Sequence, residues 1–165
     1  MGHKKQIYRE KLNQVGFWDY VEVYTMLFNW LKDHGYALSE DMYKEKLSGG
    51  GKEVIINWSA KRMVTDYFLY EITLSWHILG MKDAETEIDG KKTKMNKGEL
   101  EIDIKASIIN DYEQKWTDKP LNRFMRAIYE KYIIRTTVDE YEETLEEEVQ
   151  DMINDLKAFL RIPVG

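Results

Sequence analysis

The chain reads as an α+β protein: a two-layer arrangement of N-terminal helices, an antiparallel curved β-sheet, and C-terminal helices packed on one sheet face. Three observations predict this. Apolar residues recur at spacings of three and four in the first and last thirds, the period of an amphipathic helix. In the middle they alternate with polar residues, the period of a strand. Strands and helices are segregated along the chain rather than interleaved, which favours α+β over a wound parallel sheet. The expected organisation is a single domain over 1–165, helical over 4–47, sheet over 53–110 and helical over 119–160.

Ile7, Tyr8, Lys11, Leu12 and Val15 form a first stripe, and Trp18, Val21, Tyr24, Leu27, Phe28 and Leu31 a second. Gly16 between them is a kink or a break. Gly35 suits a helix stop, because glycine tolerates the left-handed backbone needed there. Met42, Tyr43 and Leu47 give a short helix after Ser39, ended by Gly49-Gly50-Gly51. Val54, Ile56 and Trp58 then open the period-two region. Val64, Phe68, Tyr70, Ile72, Leu74, Trp76 and Ile78 continue it at even positions, and Leu100, Ile102, Ile104, Ala106 and Ile108 repeat that parity. A strand from Met63 to Leu79 would reach roughly 56 Å at about 3.3 Å per residue, so a bulge or curvature is expected. Asp89-Gly90 predicts a type I′ hairpin joining Glu85–Ile88 to Lys91–Met95, and Asn96-Lys97-Gly98 a further turn. Pro120 opens a helix lined by Leu121, Phe124, Met125, Ile128, Tyr129 and Tyr132. Thr137 and Glu140 have the spacing of a capping box, and the stripe from Val138 to Phe159 extends that last helix to about Leu160.

Composition excludes several classes. At 165 residues the chain can bury about 70% of its extended surface, enough for a core without staples. With no cysteine, disulfides, thiolate metal sites and a cysteine nucleophile are excluded. The net charge of −6 argues against a duplex nucleic-acid binder. The longest uncharged run is ten residues, Ile72–Met81, against about 20 for a membrane span. No apolar stretch follows Lys4-Lys5, so no signal peptide is expected and a cytoplasmic location is the default.

No motif carries chemistry. Ser75 and His77 share a sheet face with Thr73 and Glu71, but no Gly-x-Ser-x-Gly elbow accompanies them. Glu85, Glu87, Glu99, Glu101 and Asp103 alternate with apolar residues and read as solvated carboxylates with ordinary acidity. His3, His34 and His77 are dispersed, so neither a metal nor a cofactor is expected. Asp139 to Asp151 holds eight acids and no base, read as a solvated helix face or an acidic docking surface. Lys91, Lys92, Lys94 and Lys97 lack the interleaved aromatics of a single-strand binder, and Gly49-Gly50-Gly51-Lys52 lacks P-loop spacing. Catalytic residues are therefore not assigned, and the chain is expected not to be an enzyme.

Two binding readings remain. Odd-numbered apolar residues, Ile55, Met63, Tyr67 and Leu69 foremost, oppose the main face. They predict an interaction surface for a protein partner or a second protomer, unless the Trp18–Leu31 helix covers them. Trp58, Arg62, Asp66, Phe68, Tyr70 and Trp76 could instead line a site for a small apolar ligand or lipid between the curved sheet and the C-terminal helix. The segments Trp58-Ser59-Ala60-Lys61-Arg62, Asp66-Tyr67-Phe68, Asn96-Lys97-Gly98 and Asp111-Tyr112-Glu113 with Trp116 resemble a family of small uncharacterised archaeal proteins, from about Phe17 onward. That resemblance implies no activity and transfers no functional residues. The expected function is a non-catalytic protein-interaction or self-association module.

Overall fold

A computed structural model describes residues 3–65, 67–110 and 135–160. The chain runs β1 (His3–Trp18), α1 (Tyr20–Asp33), β2 (Ala37–Ser48), β3 (Gly51–Met63), β4 (Phe68–Ile88), β5 (Lys91–Asn110) and α2 (Arg135–Phe159). The five strands form one sheet in the order β1-β5-β4-β3-β2, with every neighbouring pair antiparallel. The chain is thus mixed α+β, with one N-terminal and one C-terminal helix among the described residues.

The even-numbered face is the core. The row Ile56, Trp76, Ile102 and Leu12 crosses four strands in register, and all four side chains are buried. Both helices meet this face. Tyr24 of α1 packs edge-on against Trp58, with ring centroids 4.8 Å apart, and lies 6.0 Å from Trp76. On α2, Leu145, Val149, Met152, Ile153 and Leu156 are buried in the same apolar cluster. Tyr70 donates its hydroxyl to the Tyr141 carbonyl at 2.7 Å.

Several expectations for the N-terminal third are corrected. Residues 4–18 and 37–47, expected as helix, are the edge strands β1 and β2. The residues that make up their stripes, Ile7/Lys11/Val15, Tyr8/Leu12 and Tyr43/Leu47, are four apart, and four is a repeat of both a helix and a strand. The long ladder from His3↔Asn110 to Trp18↔Asn96 resolves the ambiguity in favour of β1. Only the second stripe, with its spacings of three, is helical. Even there the buried set is Val23, Leu27, Trp30 and Leu31, while Val21 and Phe28 are exposed. Gly35 (φ 83) ends α1 as expected: Tyr36 N–H reaches the Leu31 carbonyl and Gly35 N–H the Lys32 carbonyl, the paired bonds of a Schellman stop. α2 starts at Arg135, so Thr137 already lies inside the helix and not at its cap. The helix expected from Pro120 to Tyr132 lies outside the described residues, as does Asp66.

The strand expected from Met63 to Leu79 is not continuous: β3 ends at Met63 and β4 begins at Phe68, and the bulge in β4 falls beyond that range, between Leu79 and Lys82, where Gly80 takes φ 64. Asp89 (φ 50) and Gly90 (φ 79) supply the two positive φ values of the expected I′ hairpin. Asn96-Lys97-Gly98 is not a turn: β5 passes straight through it. Gly98 is needed for another reason. It pairs with Gly16 of β1, and a Cβ on it would lie 2.9 Å from the Leu79 carbonyl oxygen. A Cβ on Gly51 of β3 would lie 2.7 Å from the Gly80 carbonyl carbon. Gly98, Gly80 and Gly51 therefore form a belt across three strands where backbones crowd and the bulge bends β4; Gly16 flanks it on β1 with open space around it. Beyond the belt β4 pairs only with β5, as a two-stranded arm from Lys82 to Met95.

The two central tryptophans differ in one respect that stability measurements can read. Trp58 Nε1 donates to Glu40 at 3.1 Å, whereas the buried Trp76 Nε1 has no partner among the described residues. An unsatisfied buried donor costs about 1–3 kcal/mol. Trp76→Phe should therefore destabilise less than Trp58→Phe, by about 1–2 kcal/mol in urea unfolding. Equal losses would contradict this account.

Burial also acts on the tyrosines. It pushes the Tyr70 hydroxyl up to about 12, with the Glu148 carboxylate adding to it, and pushes Tyr20 and Tyr36 higher still. A raised native pKa favours the neutral phenol. The resulting stability is complete below the unfolded value, about 10, and is lost as pH rises through the native values. Alkaline unfolding should therefore begin above about pH 10, with tyrosinate absorbance and circular dichroism changing together. A single absorbance step at the ordinary value, with the fold intact, would contradict it.

Candidate binding groove

The outer, odd-numbered face of the sheet is a lattice of charge pairs. Arg9 donates to Asp103 at 2.9 and 3.1 Å, and the ion pair holds the Asp103 carboxyl below the usual range. Lys11 meets Glu101 at 3.2 Å, Asn13 donates to Glu99 at 2.9 Å, and Lys4 and Lys61 both approach Glu71. His77 lies 3.1 Å from Glu53, not against Ser75. The lattice accounts for the alternating carboxylates of β5 without any acid–base role. Among the described residues no three His, Asp or Glu side chains converge as metal ligands.

Of the odd-face residues singled out from sequence, only Met63 and Leu69 are brought together. Met63 pairs with Leu69 across β3 and β4, and Met63 is 69% exposed. Ile55 lies eight positions away on β3, roughly 26 Å at 3.3 Å per residue. Tyr67 is not on that face at all. It precedes β4 in the hairpin turn fixed by Thr65, whose hydroxyl accepts from the Tyr67 and Phe68 N–H groups. Outside a strand, parity does not apply, and Tyr67 is buried edge-on to Phe68 at 5.0 Å. The Trp18–Leu31 helix does not cover the odd face: its contacts are with Trp58 and Trp76 on the other side.

The ligand-lining set is in the core. Trp58, Phe68, Tyr70 and Trp76 are buried there. Arg62 lies over the Tyr36 and Tyr70 rings at 4.9 and 5.2 Å. Its charge is answered by Glu148 of α2, at 3.0 and 3.1 Å; Asp66 lies outside the described residues.

A different site forms beyond the glycine belt, where the arm stands beside both helices. Two adjoining cavities, of about 340 and 460 Å³, share Asp19 and Met95. Their size falls in the range of ligand sites, about 300–1,000 Å³. Three anchors fix the walls. Asp19 caps α1 by accepting the Glu22 N–H at 3.0 Å. Asn96 Oδ1 accepts the Tyr20 N–H at 2.9 Å, tying the first turn of α1 to the base of the arm. Trp18 Nε1 donates to the Gly98 carbonyl at 3.2 Å. Phe17, Val21 and Phe159 line the groove while remaining 44%, 68% and 40% exposed. Asp19, Glu22, Asp83, Glu85 and Glu87 also line it, against one lysine, Lys94. The last four of these acids make no ion pair among the described residues, in contrast to the paired carboxylates of the outer face.

No protein-family model matches the chain, and no curated protein is similar to it in sequence. The groove therefore rests on its own geometry. Sequence reading missed it because its walls come from five separate elements. Spacing alone puts Val21 on an apolar helix stripe, and Asn96 and Gly98 in a turn. One signal was present: acids at alternate positions 83, 85 and 87 in a segment with little apolar content of its own. A two-stranded ribbon alone is marginally stable in water.

No helix among the described residues is long and apolar enough to cross a membrane.

Proposed function

We propose that the chain is a non-catalytic interaction module that holds a protein partner in the groove between the arm, the start of α1 and the end of α2. The observation that carries this reading is the coincidence of three exposed large apolar side chains, Phe17, Val21 and Phe159, with a concave site of ligand size. Exposed apolar clusters rimmed by polar groups mark interaction sites. The sheet and helices act as the rigid layer behind it, and the fixed first turn of α1 keeps the groove open without a partner.

A small apolar ligand between sheet and α2 has less support. Trp58 and Trp76 pack on each other and on Tyr24 of α1, and Arg62 is already occupied by Glu148 of α2.

Selection from a random peptide display library tests the reading, with the Val21→Asp variant as counter-target. Peptides that bind the natural chain and lose the variant support it. A selection that yields no such sequence overturns it. Val21 is exposed, so the variant is expected to fold.

A further inference from the structure

Independently of the groove, we infer that the aromatic run at the centre of the core is a one-electron relay, which passes an oxidising hole from Trp76 and Trp58 to the Tyr24 phenol while Glu40 takes the phenolic proton. Trp76 and Trp58 lie 5.1 Å apart, and Tyr24 lies 4.8 Å from Trp58 and 6.0 Å from Trp76. Electron transfer falls steeply with distance, and rings in contact exchange an electron readily. The two ends of the run differ in their polar surroundings. Trp76 is buried, with no partner for its N–H among the described residues. A radical cation formed there has no acceptor for its proton and no counter-charge, and a bare buried charge is costly. Trp58 Nε1 and the Tyr24 hydroxyl both donate to one oxygen, Glu40 Oε1, each at 3.1 Å. That carboxylate favours a positive hole on Trp58 and stands ready for the Tyr24 proton. Glu40 is exposed and Tyr24 partly so, which gives the proton a path to water.

A one-electron oxidant removes an electron from either indole. The Tyr24 phenol then gives its electron to the indole radical cation and its proton to Glu40, leaving a neutral tyrosyl radical and a carboxylic acid. Glu40 releases the proton to water. A thiol in solution restores the phenol by giving it a hydrogen atom and itself becomes a thiyl radical, so the core tryptophans end unmodified. Burial and the Glu40 carboxylate hold the Tyr24 phenol above its ordinary pKa, so it is protonated at rest and yields the proton only on oxidation. Other tyrosines are less suited. Tyr70 donates to a backbone carbonyl, which takes no proton. Tyr36, 6.4 Å from Trp30, donates to Glu148, but that carboxylate already neutralises Arg62.

Laser flash photolysis of the full chain tests this. An ultraviolet flash ionises tryptophan directly, whether buried or not, and a scavenger traps the ejected electron. In the natural chain the indole-radical absorbance should convert to tyrosyl absorbance in a phase whose rate is independent of protein concentration. Tyr24→Phe should remove that phase. Glu40→Gln keeps an acceptor oxygen for both donors but takes no proton. It should slow the phase by about a hundredfold, the lower end of what a positioned proton acceptor contributes. Tyr8→Phe is the control: Tyr8 also donates to a carboxylate, that of Glu10, but has no tryptophan ring beside it among the described contacts. Its loss should leave the phase unchanged. The natural chain in heavy water gives a reading that needs no variant, since transfer coupled to the phenolic proton should slow there. The inference is overturned by persistence of the phase in Tyr24→Phe, by its equal loss in Tyr8→Phe, or by an unchanged rate in heavy water. A slowing of less than about tenfold in Glu40→Gln, well short of a proton acceptor's contribution, would overturn it as well.

Discussion

Gly51→Ala is expected to destabilise the fold by about 3–5 kcal/mol, the sum of an overpacking cost and a backbone cost. The new methyl carbon would lie 2.7 Å from the Gly80 carbonyl carbon, 2.9 Å from its oxygen and 3.0 Å from the Met81 oxygen. All three are backbone atoms in the neighbouring strand, so no rotamer change can relieve the clash. In addition Gly51 holds φ 120, where an L-residue is strained. Gly50, its neighbour, meets nothing within 4 Å, and Gly50→Ala should be close to neutral. The pair separates crowding at the belt from a general requirement for a flexible loop. Urea unfolding of both variants, followed by circular dichroism, makes the comparison. If the two variants lose the same stability, the belt has no special role. The prediction also reaches the groove, because the arm leaves the sheet at Gly80 and Gly98. A variant that survives with the bulge displaced should alter the base of the arm. Tyr20 N–H and Asn96 would then lose their 2.9 Å bond, seen as faster amide exchange at Tyr20.

How much of this was legible in the sequence depends on the spacing of particular residues. Strands β3, β4 and β5 were readable because strict alternation over Val54–Ala60, Phe68–Ile78 and Leu100–Ile108 matches only one period. α1 was readable because Val21, Tyr24 and Leu27 are three apart, and an odd spacing places neighbours on opposite faces of a strand; Trp18, three residues earlier, is the last residue of β1. β1 and β2 were not, because Tyr8/Leu12 and Tyr43/Leu47 are four apart, which fits helix and strand alike. As edge strands with charged residues on both faces, they are specified by their ladders to β5 and β3. Those ladders are long-range facts. Gly98 and Asn96 carried a real signal that was misassigned: both are irreplaceable in the described geometry, one for close approach and one as a cap partner for α1. The odd-face patch failed as a unit because parity places residues on a face but does not place them beside one another.

Glu148→Ala should cost about 2–3 kcal/mol, somewhat below the loss for breaking a fully buried pair, because water reaches both partners. Glu148 and Arg62 have side chains about a quarter exposed and lie 3.0 Å apart. Arg62 also donates to the His34 carbonyl at 2.7 Å, and Tyr36 donates its hydroxyl to Glu148 at 3.1 Å. One carboxylate thus joins α2 to β3 and to the turn after α1. Without it, the guanidinium is left between the faces of Tyr36 and Tyr70 with only the His34 carbonyl, and the Tyr36 hydroxyl loses its acceptor. Arg62→Lys should not spare the network, since an ammonium cannot span both the carboxylate and the carbonyl with a planar fork. The double variant Arg62→Met/Glu148→Leu should recover a substantial part of the loss, because removing both charges removes the stranded one. Urea unfolding of the double variant beside Arg62→Met and Glu148→Leu closes a thermodynamic cycle. A Glu148→Ala variant within about 0.5 kcal/mol of the natural chain, the range of ordinary surface substitutions, would show that the pair is a surface contact and that α2 is held to the sheet by its apolar stripe alone.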